Sequence, residues 1–189
     1  MLEAMLEPSE IATTEFRPLR RTEYERLAEL GFFENERVEL LDGVIVKMSP
    51  IGEPHNLYEA LLNELIVKAL PPHLIARPQC SFPLSDISEP EPDFAVVERK
   101  RFGEPPSRPL LIIELADSSL NKDLRLKATL YAAAGVPDYW VVDLRAMSIV
   151  AHREPTGDRY ASVERFEQTA RVTALRIPEV TVCLADLTY

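Results

Sequence analysis

The chain has 189 residues, with 21 Lys plus Arg against 31 Asp plus Glu, a net charge of −10 and a pI near 4.9. This length suits one domain with its own core, and the composition excludes general disorder and collagen-like or Gly/Ser repeats. The acidic charge argues against a simple basic nucleic-acid binder. Neither Cys80 nor Cys183 belongs to a CxxC pair, which argues against a Cys-rich zinc site or a disulfide framework.

The first residues lack the apolar core of a secretory signal, and no apolar run approaches the ~20 residues of a membrane span. We therefore expect a cytoplasmic protein that has no membrane partner. Residues 1–16 are expected to form a flexible tail. Thr22 is predicted to cap a helix through Leu30, with Glu25 as the reciprocal capping partner and Gly31 ending the helix.

Asp42-Gly43 lies between two apolar β-branched runs, a pattern that predicts a tight hairpin. Residues 54–70 carry leucines at helical spacing after Pro54, so a helix is predicted there, ended by Pro71-Pro72.

The rest of the chain is predicted to alternate strands with one helix. That helix is capped by Ser119 or Asn121 and runs to Ala134, before Gly135. Strands are predicted at 74–84, 93–98, 110–115, 138–143, 148–153, 160–166 and 180–184. The order predicts a single α/β (α+β) domain over 17–189, with a central mixed sheet flanked by helices and an additional antiparallel meander.

Three acids occupy unusual positions. Glu114 lies in a nearly all-apolar strand, Asp93 opens a strand after Pro92, and Glu39 lies within the first hairpin. A buried carboxylate costs several kcal/mol unless it is paired or binds a metal. Each also has a structural explanation: Asp93 as a turn residue, Glu39 facing solvent, and Glu114 pairing with an arginine.

Lys127 projects from the middle of the apolar stripe of its helix, if each residue turns by about 100°. Tyr131 lies on the same side, and Asp123 lies close enough for an i,i+4 ion pair. An inward lysine beside a strand-borne glutamate is the arrangement that a hydrolytic metal site uses. The same geometry places three residues on the opposite side of the helix: Lys122, Arg125 and Thr129.

Two further groups have both a functional and a structural interpretation. His55, at a helix start, lines a site in one interpretation and is a surface or capping residue in the other. Arg99, Lys100 and Arg101 could contact phosphates weakly, although charged hairpin tips are common.

Four segments of the chain resemble, in the same order, the bacterial Uma-two family of putative restriction endonucleases. They are VELLDGVIVKMSP, PHN, PEPDFAVV and LLIIELADSSLNKDLRLKATLYAAAGVPDYWVVDL. That family belongs to the PD-(D/E)xK nuclease superfamily, and the resemblance covers roughly residues 20 to 187. It implies a restriction-endonuclease-like fold with a divalent-metal site at one end of the sheet.

The resemblance also implies roles for individual residues. Asp93 matches the Asp of the PD element and Glu114 the acid of the (D/E)xK element. The expected lysine two positions later is Ala116 here, and Lys127 on the next helix matches a relocated lysine. Three further matches are an early acid, a recurrent histidine and a tyrosine after the lysine: Glu39, His55 and Tyr131.

The resulting hypothesis is an Mg²⁺- or Mn²⁺-dependent endonuclease acting on DNA, in which Asp93 and Glu114 bind the metal. Glu39 completes or orients the shell, and Lys127 positions water or stabilises the transition state. A homodimer is expected, because nucleases that cut both strands often pair. Two alternatives are a catalytically inactive nuclease-fold module in protein interaction or regulation, and a metal-dependent hydrolase of another phosphate ester, such as a nucleotide.

Overall fold

The computed structural model describes residues 17–49, 52–101, 103 and 108–187, so the predicted tail at 1–16 lies outside the described residues. A six-stranded mixed sheet of order β3-β4-β5-β6-β7-β8 forms its centre. The strands among the described residues are β1 (Val38–Leu41), β2 (Val44–Lys47), β3 (Leu74–Pro78), β4 (Phe94–Glu98), β5 (Leu111–Ala116), β6 (Asp138–Asp143), β7 (Ser148–Thr156), β8 (Arg159–Glu167), β9 (Val172–Ala174) and β10 (Ile177–Val182). The prediction of a central mixed sheet flanked by helices is confirmed.

Three helices accompany the sheet in the described ranges. Helix α1 is Arg21–Glu29 and α2 is Glu53–Ala69, and a 3₁₀ turn, Leu184–Asp186, follows β10. Helix α3 has three consecutive parts, listed here in order: Leu120–Lys122, a π-helical turn Asp123–Lys127, and Ala128–Ala133. No helix in the described ranges is long and apolar enough to cross a membrane.

The β1–β2 hairpin forms where the sequence predicts it. Asp42 and Gly43 have φ values of 50° and 77°, which is the positive-φ pair that a two-residue type I′ turn needs. A side chain at Gly43 would also collide with Pro18, whose Cβ would lie 2.3 Å from the added atom. The backbone at Leu40 pairs with Glu89 in both directions, which holds the hairpin against the loop that precedes β4.

The predicted cap of α1 is wrong by two residues. The helix begins at Arg21, and the Glu23 carboxylate accepts a hydrogen bond from the Arg20 backbone N–H. Glu25 instead forms an ion pair with Arg21 on the helix surface. The acid that completes the cap thus lies three residues after Arg20, the spacing of a capping box, although residue 20 is not a serine or threonine.

The sheet is covered on both faces. Helix α2 and the antiparallel β9–β10 hairpin pack on one face, to which Ile113 of β5 contributes its side chain. Helix α3 packs on the other face, to which Ile112 of β5 contributes its side chain. Strand β5 pairs parallel to β6 and antiparallel to β4, and all of its residues are buried, as the apolar sequence predicts.

The predicted strand at 74–84 is too long. Strand β3 ends at Pro78, which pairs with Phe94 at the start of β4, and Gln79 turns the chain with a φ of 46°. Strand β9 was not predicted, and the last predicted strand begins three residues earlier, at Ile177. The first two strands predicted for the meander, β7 and β8, continue the central sheet antiparallel after β6. The third, predicted at 180–184, instead pairs with β9 in a separate two-stranded sheet.

Candidate active site

Glu114 faces helix α3. Side chains alternate along a strand, so Glu114 shares a face with Ile112 and points toward the helix that covers that face. Its Oε1 accepts hydrogen bonds from Lys127 Nζ at 2.8 Å and from the Tyr131 hydroxyl at 2.9 Å. The partner of this buried acid is therefore a lysine, and the alternative of an arginine partner is wrong.

Glu39 contacts two lysines. Its Oε1 lies 2.7 Å from Lys122 Nζ, and its Oε2 lies 3.1 Å from Lys127 Nζ. The residue is fully buried, so the alternative in which it faces solvent is wrong. Lys127 therefore lies between two carboxylates, those of Glu39 and Glu114, that come from different sheets.

Asp93 lies beside Glu114 because β4 runs antiparallel to β5. Phe94 pairs with Ile113, so one step further the register places Asp93 next to Glu114. Asp93 Oδ2 accepts a 2.7 Å hydrogen bond from the Leu115 backbone N–H. Its Oδ1 lies 3.2 Å from His55 Nε2, which comes from the first turn of α2.

The π-helical turn brings Lys122 into the site. The Ala128 N–H donates to the Asp123 carbonyl five residues earlier, so residues five apart are one turn apart there. Lys122 and Lys127 are five apart, and both reach Glu39. The prediction that Lys122 lies on the opposite side of the helix is therefore wrong, because the 100° rotation of a regular α-helix does not hold in this segment.

Asp123 does not form the predicted ion pair with Lys127. Its Oδ2 accepts a hydrogen bond from the Ser119 hydroxyl, while the ion pairs of Lys127 within the described ranges are with Glu39 and Glu114. Asp123 is nonetheless buried at the same site and lines the same pocket.

Burial and the neighbouring charges have competing effects on the pKa values of Glu114, Lys127 and Glu39. Burial raises the pKa of Glu114 well above its usual range, an effect that Lys127 opposes and that Asp123, Asp93 and Glu39 reinforce. Burial alone would lower the pKa of Lys127, but the nearby carboxylates outweigh it and raise that pKa. Burial likewise opposes ionisation of Glu39, but the two lysines prevail and lower its pKa. The ammonium of Lys127 thus persists across the physiological range.

A small pocket of about 50 Å³ opens beside these residues. Among the described residues that line it, five carboxylates face three cations, so the pocket is acidic. The acids are Glu91, Asp93, Glu114, Asp117 and Asp123, and the cations are Arg37, Lys122 and Lys127. His55 lines it as well, and contact with Asp93 raises its pKa although burial opposes this.

The basic run Arg99, Lys100 and Arg101 is remote from this pocket. It follows the far end of β4, whose first residue is adjacent to Asp93, and five strand residues span roughly 17 Å. Arg99 Nε donates to the Pro72 carbonyl at 3.0 Å.

The structure brings together seven of the residues that the sequence singles out: Glu39, Asp93, Glu114, Lys127, Tyr131, Asp123 and His55. Lys122 and Arg37 also lie at the site and were not predicted there.

One family model matches most of the chain. The family model described as "Uma2: Putative restriction endonuclease" matches residues 21–186. The chain belongs to the Uma2 family. The matched range contains Glu39, Asp93, Glu114 and Lys127.

A solved structure supports the fold of this Uma2 protein. A putative nuclease belonging to DUF820 from Anabaena variabilis superposes with a TM-score of 0.71 at 18% sequence identity, covering 90% of this chain and 97% of that chain. At this identity the likeness establishes the fold alone. No curated protein matches the chain in sequence.

Proposed function

We propose that this Uma2 protein is a divalent-metal-dependent endonuclease that hydrolyses phosphodiester bonds of DNA. The observation that carries the proposal is the position of Lys127 Nζ between Glu114 and Glu39, in an acidic pocket that also contains Asp93. A buried ammonium beside several carboxylates suits the stabilisation of charge that develops on a phosphate.

The donor chemistry of the pocket fits Mg²⁺ or Mn²⁺. Within the described part of the chain no three His, Cys, Asp or Glu side chains cluster with metal-holding geometry. Mg²⁺ is usually bound by one or two carboxylates and keeps several waters, so Asp93 and Glu114 together would supply enough protein ligands. The excess of carboxylates in the pocket also favours a cation there.

When bound there, the metal would lower the pKa of a water and neutralise phosphate charge. Lys127 would donate a hydrogen bond to the attacking water or to a non-bridging oxygen of the phosphate. Glu39 would hold the ammonium together with Glu114, and Tyr131 would fix the orientation of the Glu114 carboxylate. His55 would orient Asp93 through the 3.2 Å contact.

The size of the pocket favours a polymer backbone over a free nucleotide. A water needs roughly 10–15 Å³ of such volume, so about 50 Å³ holds an ion with a few waters. Sites that enclose small organic ligands are typically ~300–1,000 Å³. A phosphodiester lying across the mouth would present only its phosphate to Lys127, with its sugars and bases outside.

The test is cleavage of supercoiled plasmid and single-stranded DNA in Mg²⁺, in Mn²⁺ and in EDTA. Cleavage should require metal, and Glu114→Gln and Lys127→Ala should each lower its rate by about 10²–10³-fold. Lys68→Ala is the matched control, because Lys68 pairs with Glu64 on the exposed surface of α2. Equal rates in the Lys127→Ala and wild-type proteins would refute the site assignment.

Titration calorimetry with Mn²⁺ separates the nuclease from a catalytically inactive module. We expect binding that Asp93→Asn abolishes, whereas the absence of binding at millimolar Mn²⁺ would favour the inactive module. A panel of nucleotides distinguishes DNA from smaller phosphate esters. The contact of Arg99, Lys100 and Arg101 with DNA, and the homodimer, remain proposals that binding assays and light scattering would test.

A further inference from the structure

We propose that Lys122 is a second phosphate-binding lysine, which contacts a backbone phosphate next to the one cleaved. This inference rests on the proposed function and extends it to how the substrate is held. It starts from the π-helical turn, which places Lys122 on the same face of α3 as Lys127. The two lysines are about one turn of this helix apart.

Lys122 is the more accessible of the two lysines. Its side chain is 23% exposed, compared with 3% for Lys127, and both line the pocket. Lys127 is thus enclosed among carboxylates, whereas Lys122 is partly open to solvent and can contact a group outside the pocket. A flexible lysine at such a position acts as a point charge toward phosphate.

Lys122 can leave its present partner without stranding a buried charge. If its ammonium turns from Glu39 to a phosphate, Glu39 still has Lys127 at 3.1 Å. Lys127 in turn keeps Glu114 at 2.8 Å. Movement of Lys127 would instead leave Glu114 without its ammonium, and an unpaired buried charge is costly. The network therefore holds Lys127 in place and leaves Lys122 free to exchange partners.

The pocket needs such a cation at its mouth. Five carboxylates line it, and their repulsion of a negatively charged backbone is only partly neutralised by a bound divalent metal. Lys122 offsets part of this repulsion at the entrance, and phosphate contacts of this kind fix the register of a nucleic acid without reading its sequence.

The test compares Lys122→Ala with Lys68→Ala, which removes the same charge from an exposed ion pair elsewhere. Binding of a fluorescein-labelled duplex oligonucleotide is measured by anisotropy in Ca²⁺ over a range of salt. We expect Lys122→Ala to weaken binding about tenfold and to reduce the salt slope by about 0.9, the loss of one phosphate contact. Lys122→Arg should restore most of the affinity, and Lys68→Ala should match the wild type.

Steady-state cleavage gives the second measurement. Lys122→Ala should raise KM about tenfold with kcat within about twofold, because the contact is uniform binding rather than transition-state binding. Identical KM and salt slope in Lys122→Ala and Lys68→Ala would overturn the inference while leaving the nuclease proposal intact. A tenfold loss of binding in a protein that cleaves nothing would overturn the nuclease proposal and keep the phosphate contact. The absence of DNA binding by the wild type at low salt would overturn the inference.

Discussion

Lys122 and Lys127 are five residues apart in one helix, and both ammonium groups contact the carboxylate of Glu39. Residues at this spacing lie about 140° apart in a regular α-helix, so one carboxylate could not serve both. The π-helical turn removes that conflict, and Glu39 thereby ties the β1–β2 hairpin to helix α3 across the site.

Replacement of Glu39 by Gln should destabilise the protein by roughly 3 kcal/mol, since removing one member of a buried charge cluster leaves its partners uncompensated. The remaining contact between Lys127 and Glu114 limits the loss. Urea denaturation followed by circular dichroism measures the change in the free energy of unfolding.

The control for this prediction is Glu91→Gln. Glu91 also lines the pocket, but its side chain is 26% exposed and lies 3.5 Å from Arg37, so the change should cost less than about 1 kcal/mol. Equal destabilisation by the two variants would contradict a bridging role for Glu39.

Loss of the Tyr131 hydroxyl should affect both stability and cleavage. In Tyr131→Phe the Glu114 carboxylate loses a 2.9 Å hydrogen bond, and we expect a cost of about 1–2 kcal/mol and a several-fold lower kcat. Tyr160→Phe removes a 3.0 Å bond to the Val136 carbonyl in the same core cluster. It should cost similar stability and leave kcat unchanged, so an equal fall in kcat in both would argue against a positioning role for Tyr131.

Much of the fold could be predicted because it depends on short-range signals. Asp42-Gly43 needs positive φ and turns the chain, and the apolar run of β5 can only lie in a covered strand. Lys127 could be placed at the site because the part of the helix after it is a regular α-helix, so Tyr131 follows at the expected angle.

The errors have different physical causes. Lys122 could not be placed, because nothing in the residue spacing marks a π-helical turn and its partner Glu39 lies 83 residues away in the sequence. Arg37 reaches the pocket through the packing of the hairpin against the loop at Glu89, a long-range contact. Strand β3 stops at Gln79 because of a local backbone angle that the sequence pattern does not reveal.

His152 should make the protein less stable at acidic pH. The imidazole is 5% exposed between the Tyr139 and Tyr160 rings, and burial lowers its pKa although backbone groups of Tyr139 and Val150 partly oppose this. A histidine whose folded-state pKa is lowered contributes stability above its unfolded pKa of about 6.5, and this is lost as the pH falls. We therefore expect the His152 contribution to the free energy of unfolding to decrease as the pH falls below about 6.5.

The variant His152→Phe should flatten this part of the profile of unfolding free energy against pH, since a phenyl ring cannot take up the proton. His73→Gln is the control, because His73 is exposed at the start of β3. A profile in His152→Phe as steep as that of the wild type would show that other groups cause the acid sensitivity.

The π-helical turn can be tested by deleting a residue. Deletion of Leu126, which is 38% exposed within the turn, leaves Lys122 and Lys127 four positions apart. Residues four apart share a face of a regular α-helix, so both lysines should still reach Glu39. We expect a folded protein whose stability lies within about 1 kcal/mol of the wild type or above it, because a rare helix geometry is replaced by the common one.

The control is deletion of Thr129, which is exposed in the regular part of the helix. This deletion rotates Lys127 by about 100° relative to Tyr131. That deletion should cost several kcal/mol in urea denaturation by separating Lys127 from Glu114. Equal damage from the two deletions would show that the site requires the π-helical turn itself, and not only the shared face that it creates.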